Sequence, residues 1–218
     1  MIHEWRTYEA TSGKLAVLHS QLKVAADLFQ KHGLTTLGFW TEEIGTAFRM
    51  SYMWRYEEMQ EREDKVAAFT ADDAWKQLIA AQREKEGPVV ARIRNTMLQK
   101  TPYSPEPQIR GNVQEWRIYD AMPGKLPDLN NSFANHALGL FAKHGIDSIG
   151  YWTEMFGTSN RLVYMLGYRS LGDREKSWAA LEADPAWQQA RTDSEKNGPL
   201  VAKASSCILR ATSFSPKG

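Results

Sequence analysis

The chain has 218 residues, of which 42% are hydrophobic and 24% charged, with a formal net charge of +1. That balance suits an ordinary globular protein and excludes recognition of nucleic acid or anionic membrane by bulk charge, so any partner must be read locally. No run approaches the ~18–20 apolar residues of a membrane helix. The single cysteine, Cys207, excludes an internal disulfide framework and points to a reducing, cytoplasmic setting.

Strand-like sequence starts almost directly after Met1, which leaves no room for a signal peptide. Glu4 to Ala10 alternates large and polar residues and predicts a strand closed by Gly13 and Lys14. From Leu15 to Lys31 the apolar residues Leu15, Leu18, Leu22, Ala25 and Phe29 follow helical spacing, with Gly33 as the stop. Thr35 to Trp40 and Phe48 to Tyr56 read as an antiparallel pair, and Gly45 in their connection is placed for a positive φ. Glu57 to Glu86 is helical with a break near Thr70 to Asp73, Gly87-Pro88 ends it, and Val89 to Leu98 alternates as a last strand.

The second half repeats the first. His3 to Leu15 (HEWRTYEATSGKL) returns as Gln114 to Leu126 (QEWRIYDAMPGKL), and Gly38-Phe39-Trp40-Thr41-Glu42 returns as Gly150-Tyr151-Trp152-Thr153-Glu154. The second match is spaced slightly wider than the first, so one residue has entered between them. The break in the long helical segment becomes Asp184-Pro185, an N-cap followed by proline at the first helical position, so the segment is two helices meeting at a cap. The order β-α-β-β-α-β is the split βαβ pattern of ferredoxin-like folds. The predicted class is therefore α+β, with modules at 1–104 and 112–218 joined by a proline-rich linker at 105–111. A four-stranded sheet with helices on one face leaves the other bare, which predicts two sheets facing each other as a barrel around a chamber.

The Glu-Trp-Arg-x-Tyr strand, the Gly-Lys-Leu helix entry, the Lys-His-Gly helix end, the Gly-x-Trp-Thr-Glu strand and the Asp-x-Ala-Trp segment together resemble the NIPSNAP family of the dimeric α/β-barrel superfamily, once per half. The resemblance implies paired ferredoxin-like modules. It fixes no catalytic chemistry, since the wider superfamily includes cofactor-free monooxygenases, isomerases and haem enzymes, and fold membership is only an associational guide to function.

Strand alternation puts Glu4, Arg6 and Tyr8 on one face and Trp5 and Thr7 on the other, with Glu115, Arg117 and Tyr119 against Trp116 and Ile118 in the repeat. A Trp/Ile face suits packing beneath helices, which assigns the Glu, Arg and Tyr set to the chamber. Gly38, Trp40 and Glu42 share a face, as do Gly150, Trp152 and Glu154, so an aromatic wall beside a carboxylate is available for a planar ligand and a general base. Tyr52 and Tyr164 add hydroxyls from the third strands. The candidate set is thus Glu42 or Glu154 as base, Arg6 or Arg117 stabilising developing negative charge, and Glu4, Tyr8, Trp40, Tyr52, Glu115, Tyr119, Trp152 and Tyr164 lining the site. The bland reading of each is an Arg–Glu pair that satisfies itself, core packing for Trp and Tyr, and a turn brace for the Glu.

His32 and His144 suit helix C-termini. No His pair at i, i+4 and no Cys/His cluster indicates a metal, the P-loop and Gly-x-Gly-x-x-Gly patterns are missing, and no cofactor is expected. The copies differ at His3/Gln114, Trp54/Leu166, Arg55/Gly167, Arg92/Lys203 and Arg94/Ser205, and the more highly charged first half is the better place for an asymmetric pocket. The leading expectation is a small organic ligand in the chamber, with cofactor-independent oxygenation or isomerisation as its enzymatic version. The rival is a non-catalytic interaction protein with a packed barrel and helix-mediated partners, and a homodimer is compatible with either.

Overall fold

The computed structural model describes residues 1–216. The first module runs β1 (Ile2–Ala10), α1 (Leu15–Lys31), β2 (Thr35–Ile44), β3 (Arg49–Tyr56), α2 (Met59–Ala71), α3 (Asp73–Glu86) and β4 (Val90–Lys100). Its strands lie in the order β4-β1-β3-β2, with β1 and β2 both antiparallel to β3. The second runs β5 (Val113–Ala121), α4 (Leu126–Ser132), a π-helical turn (Phe133–Ala137), α5 (Leu138–Lys143), β6 (Asp147–Glu154), β7 (Arg161–Tyr168), α6 (Leu171–Glu182), α7 (Pro185–Ser194) and β8 (Val201–Ala211). Its order is β8-β5-β7-β6, with β7 and β8 both antiparallel to β5. The fold is α+β, built from two ferredoxin-like modules.

The extra residue of the second copy lies in its first helix. Where α1 is one unbroken helix, α4 and α5 are joined through the π turn, the form in which a helix absorbs an inserted residue without losing its register on either side. Asp72 and Asp184 cap the next helix pair, each accepting from the amide two residues on, Ala74 at 2.8 Å and Ala186 at 2.9 Å. Between β2 and β3 the chain turns through Gly45 and Phe48, both at positive φ.

Each module has its own core between sheet and helices. In the first, Leu18, Leu22, Ala25 and Phe29 of α1 pack on Phe39, Tyr52 and Trp54. Phe29 meets Trp54 edge-on with ring centroids 4.8 Å apart, and burying a side chain of that size stabilises the module by about 1.5–3 kcal/mol. In the second, Leu129, Phe133 and Phe141 pack on Tyr151, Tyr164 and Leu166.

The compact units differ from the sequence repeats at their ends. Among the described residues the first comprises Met1–Leu98 and 211–216, and the second comprises Gln99–Arg210. In the second unit Thr101 donates its amide to the Tyr151 carbonyl at 3.0 Å and Tyr103 donates to Asn130 at 2.6 Å. In the first, Thr212 donates its amide to the Phe39 carbonyl at 2.8 Å, and Phe214 packs on the Phe39 ring.

Candidate functional site

On the first and third strands of each module the sheet faces are the reverse of the expectation, whereas Trp40 and Trp152 of the second strands do face away from the helices. Arg6, Tyr8, Tyr52 and Trp54 lie beneath the helices, while Trp5 and Trp40 pack against each other on the face turned away, with ring centroids 5.2 Å apart. Trp116 and Trp152 do the same in the second module at 5.8 Å. Alternation located the two faces correctly but could not orient them, because both are buried: Trp40, at 1% exposure, and Tyr52, also at 1%, are equally inside.

The charged residues beneath the helices are paired. Glu4, fully buried, accepts from Arg6 Nη1 at 2.7 Å and from Arg62 of α2 through Nε at 2.8 Å and Nη2 at 3.1 Å. Glu115 accepts from Arg117 Nη1 at 2.6 Å and from Arg174 of α6 twice, both at 2.8 Å. In each module two guanidiniums therefore share one carboxylate, which leaves a positive charge in surplus. Burial works against the charge on Arg6, but Tyr52, Tyr8 and Glu4 outweigh it and its pKa is held above the usual arginine range. Burial pushes Glu115 up as well, yet Arg174 and Arg117 prevail and its pKa is depressed. Burial also holds the Tyr52 and Tyr164 hydroxyls well above their ordinary pKa, so both remain donors.

In the first module this cluster forms the floor of a cavity of about 450 Å³, within the size range of small-molecule sites. Its walls are mostly apolar: Leu22 and Phe29 of α1, Val66 and Phe69 of α2, Trp75 and Ile79 of α3, and Val89 at the entry to β4. Arg6 donates Nη2 to the Tyr8 hydroxyl at 3.1 Å, Tyr8 and Tyr52 share a hydrogen bond at 3.1 Å, and the guanidinium lies 4.9 Å from the Trp54 ring centroid. Arg6 Nε, Trp54 Nε1 and Gln82 Oε1 are buried atoms without a hydrogen-bond partner, and all three residues line this cavity. Buried polar groups left unmatched usually await water or a ligand.

The second module has a cavity of about 410 Å³ in the same place, with a different lining. Arg117 Nε donates to Tyr164 at 2.8 Å and Nη2 to Tyr119 at 3.0 Å, so each nitrogen is used. Its guanidinium lies 4.5 Å from the ring centroid of Trp178, an α6 residue. Glu182, Arg191, Glu195 and Lys203 add charged groups to its lining beside Leu129, Trp187 and Leu200.

The structure thus brings Glu4, Arg6, Tyr8 and Tyr52 together, and Glu115, Arg117, Tyr119 and Tyr164 together. It does not bring Trp40, Glu42, Trp152 or Glu154 to them. Glu42 accepts from the Thr46 amide and from Arg49 Nη1 at 3.2 Å, and Glu154 from the Thr158 amide at 3.1 Å and Arg161 Nη1 at 2.8 Å. Both brace their hairpins, on the sheet face opposite the cavity. His32 and His144 are the C-cap residues of their helices and also bond Asp72 and Asp184, each at 2.7 Å. Among the described residues no group of three or more His, Cys, Asp or Glu side chains could hold a metal ion, and no helix is long and apolar enough to cross a membrane.

Sequence reasoning missed Arg62 and Arg174, which occupy equivalent repeat positions as Glu61-Arg62-Glu63 and Asp173-Arg174-Glu175. A repeated arginine on an otherwise variable helix was the available signal. Val66 and Trp178, Gln82 and Ser194 gave none, because nothing in the sequence says which helix positions face the floor.

Comparison with known proteins places this architecture. A Drosophila melanogaster protein, NipSnap, is 24% identical over 183 residues, 81% of this chain and 63% of its own length, so the chain spans less than two thirds of that relative. A NipSnap homologue from Dictyostelium discoideum is 21% identical over 85% of this chain and 78% of its own. Among solved structures, a Lactobacillus acidophilus protein provisionally named a monooxygenase superposes with a TM-score of 0.64 at 8% identity, over 96% of this chain and 93% of that one. A Fusobacterium nucleatum protein of the same provisional name gives 0.60 at 13% identity, over 96% and 91%. These two likenesses show the fold alone. The NIPSNAP family model matches residues 3–105 and again 114–216, so the chain belongs to the NIPSNAP family and carries its domain twice.

Proposed function

We propose that the protein binds a small, largely apolar organic molecule in the first module, between sheet and helices, with an acceptor oxygen of the ligand held by Arg6. One observation carries this reading: Arg6, whose buried Nε has no partner, lines an apolar cavity of about 450 Å³ in a cluster with a surplus positive charge. A hydrogen bond to a charged donor contributes about 1.5–3 kcal/mol net. Trp54 Nε1 offers a second donor. A carboxylate, an enolate or a phenolate on an aromatic body meets both demands, the apolar walls and the unmatched donors.

The same donors would stabilise negative charge developing on a bound oxygen, which is what cofactor-independent oxygenation or isomerisation requires. Glu42 and Glu154 are not placed to act as base for it, since both are tied into hairpins. The rival reading, a non-catalytic interaction protein, draws support from the two indole pairs that fill the sheet faces away from the helices.

Isothermal titration with 2-naphthoate, a planar arene bearing one carboxylate, tests the proposal. Wild type is expected to bind, and Arg6→Gln to lose about tenfold or more in affinity. Trp54→Phe keeps the ring and removes Nε1, and should weaken binding less. Equal affinity for wild type and both variants would sink the reading.

A further inference from the structure

We infer that an exchange of one tryptophan between sheet and helix confines ligand binding to the first module, and that residue 66 of α2 and its counterpart Trp178 of α6 are the specificity-determining position. The inference rests on the pocket reading above and adds which of two nearly equal cavities is used, and why.

The two modules solve the same local problem in opposite ways. Each buries an arginine that needs an aromatic face as well as a carboxylate, because a desolvated guanidinium gains from a ring quadrupole. In the first module the ring comes from the sheet: Trp54 of β3 lies under Arg6, and the helix opposite contributes the small Val66. The equivalent positions of the second copy hold Leu166 and Trp178. There the sheet supplies an aliphatic side chain and the ring comes from the helix, so Trp178 lies over Arg117 on the cavity side and anchors its indole nitrogen to Tyr168 at 2.8 Å.

Polar accounting follows the exchange. With its ring beneath it, Arg6 keeps Nε unmatched, and Tyr52 bonds Tyr8. With its ring above it, Arg117 gives Nε to Tyr164 and has none left over. The cavities differ by little in volume, about 450 against 410 Å³, and greatly in what they offer: unmatched donors under apolar walls in one, a satisfied arginine under an indole in the other. The π turn that absorbs the inserted residue adds to the difference, since Ser132 just before it and His136 within it line the second cavity, whereas α1 lines the first with Gln21, Leu22 and Phe29. An apolar monoanion should therefore prefer the first module.

The test is the stoichiometry of 2-naphthoate by native mass spectrometry and calorimetry on the full chain. Wild type should bind one equivalent. Val66→Trp should lower that affinity by about tenfold or more by covering Arg6, and Leu166→Trp with Trp178→Val should raise the stoichiometry to two, with the added site abolished by Arg117→Gln. Val66→Leu, which keeps the helix face apolar without an indole, should retain binding and so separates covering from misfolding. Two equivalents in wild type, or one unchanged equivalent in the Leu166/Trp178 double variant when circular dichroism shows it folded, would overturn the exchange. Absence of any binding to wild type would overturn the pocket reading together with it.

Discussion

Arg117 donates its Nε to the Tyr164 hydroxyl at 2.8 Å, whereas Arg6, its counterpart in the other module, has an Nε with no partner. Two copies of one architecture thus end in different chemical states. In both, the carboxylate beside the arginine is shared with a second arginine from the following helix, Glu4 with Arg62 and Glu115 with Arg174.

These shared carboxylates hold the buried cations in place. Removing one leaves two partly buried guanidiniums beneath the helices without their shared counter-charge, a loss of about 3 kcal/mol, the low end for a broken buried pair because water reaches both arginines. Glu115→Ala should therefore lower stability by about that amount in urea denaturation monitored by tryptophan fluorescence. Little or no change would mean that the arginines find water on their own.

The Gly-x-Trp pattern of the second strand has a packing cause. Trp152 folds back over Gly150, so that a Cβ added at Gly150 would run into the indole ring, and the ring is fully buried. Gly150→Ala should cost about 1–3 kcal/mol by overpacking. Unchanged thermal stability would show that the indole can shift freely, contrary to its packing against Trp116.

Acid should loosen the helix caps. Lys31 and then His32 hydrogen-bond to Asp72 and hold its pKa well below the ordinary aspartate range, and Lys143 and His144 do the same for Asp184. A depressed folded pKa means that the stabilisation is fully present above the unfolded value, about 3.9, and is lost as pH falls below it toward the folded pKa. Glu115 adds to the same trend through its own depressed pKa. Melting temperatures measured from neutral pH downward should fall below about pH 4, and the fall should be shallower in the Asp72→Asn, Asp184→Asn double variant. An equally steep fall in that variant would assign the acid loss elsewhere.

Much of the fold was legible because local signals agreed. Asp184-Pro185 announced a helix start that Asp72-Asp73 alone left obscure, and the structure caps both helices there. The slip in the spacing of the repeat marked an insertion, which the structure shows as a π turn rather than a longer loop. Of the residues singled out for the candidate site, the sequence grouped only some, and not in their place. Glu4, Arg6, Tyr8 and Tyr52 do cluster, but alternation has the same period on both faces of a doubly buried sheet, so Trp5 and Arg6 could be told apart and not oriented. The decisive contacts, Arg62 to Glu4 and Trp178 over Arg117, join strands to helices far along the chain, where no local pattern reaches.

The most direct test of the pocket in the first module is a crystal structure of the full chain soaked with 2-naphthoate. Electron density for the arene is expected among Leu22, Phe69 and Trp75, with a carboxylate oxygen within hydrogen-bond distance of Arg6 Nε. Ligand density confined to the second module or to the outer surface, with Arg6 Nε left unmatched, would contradict it.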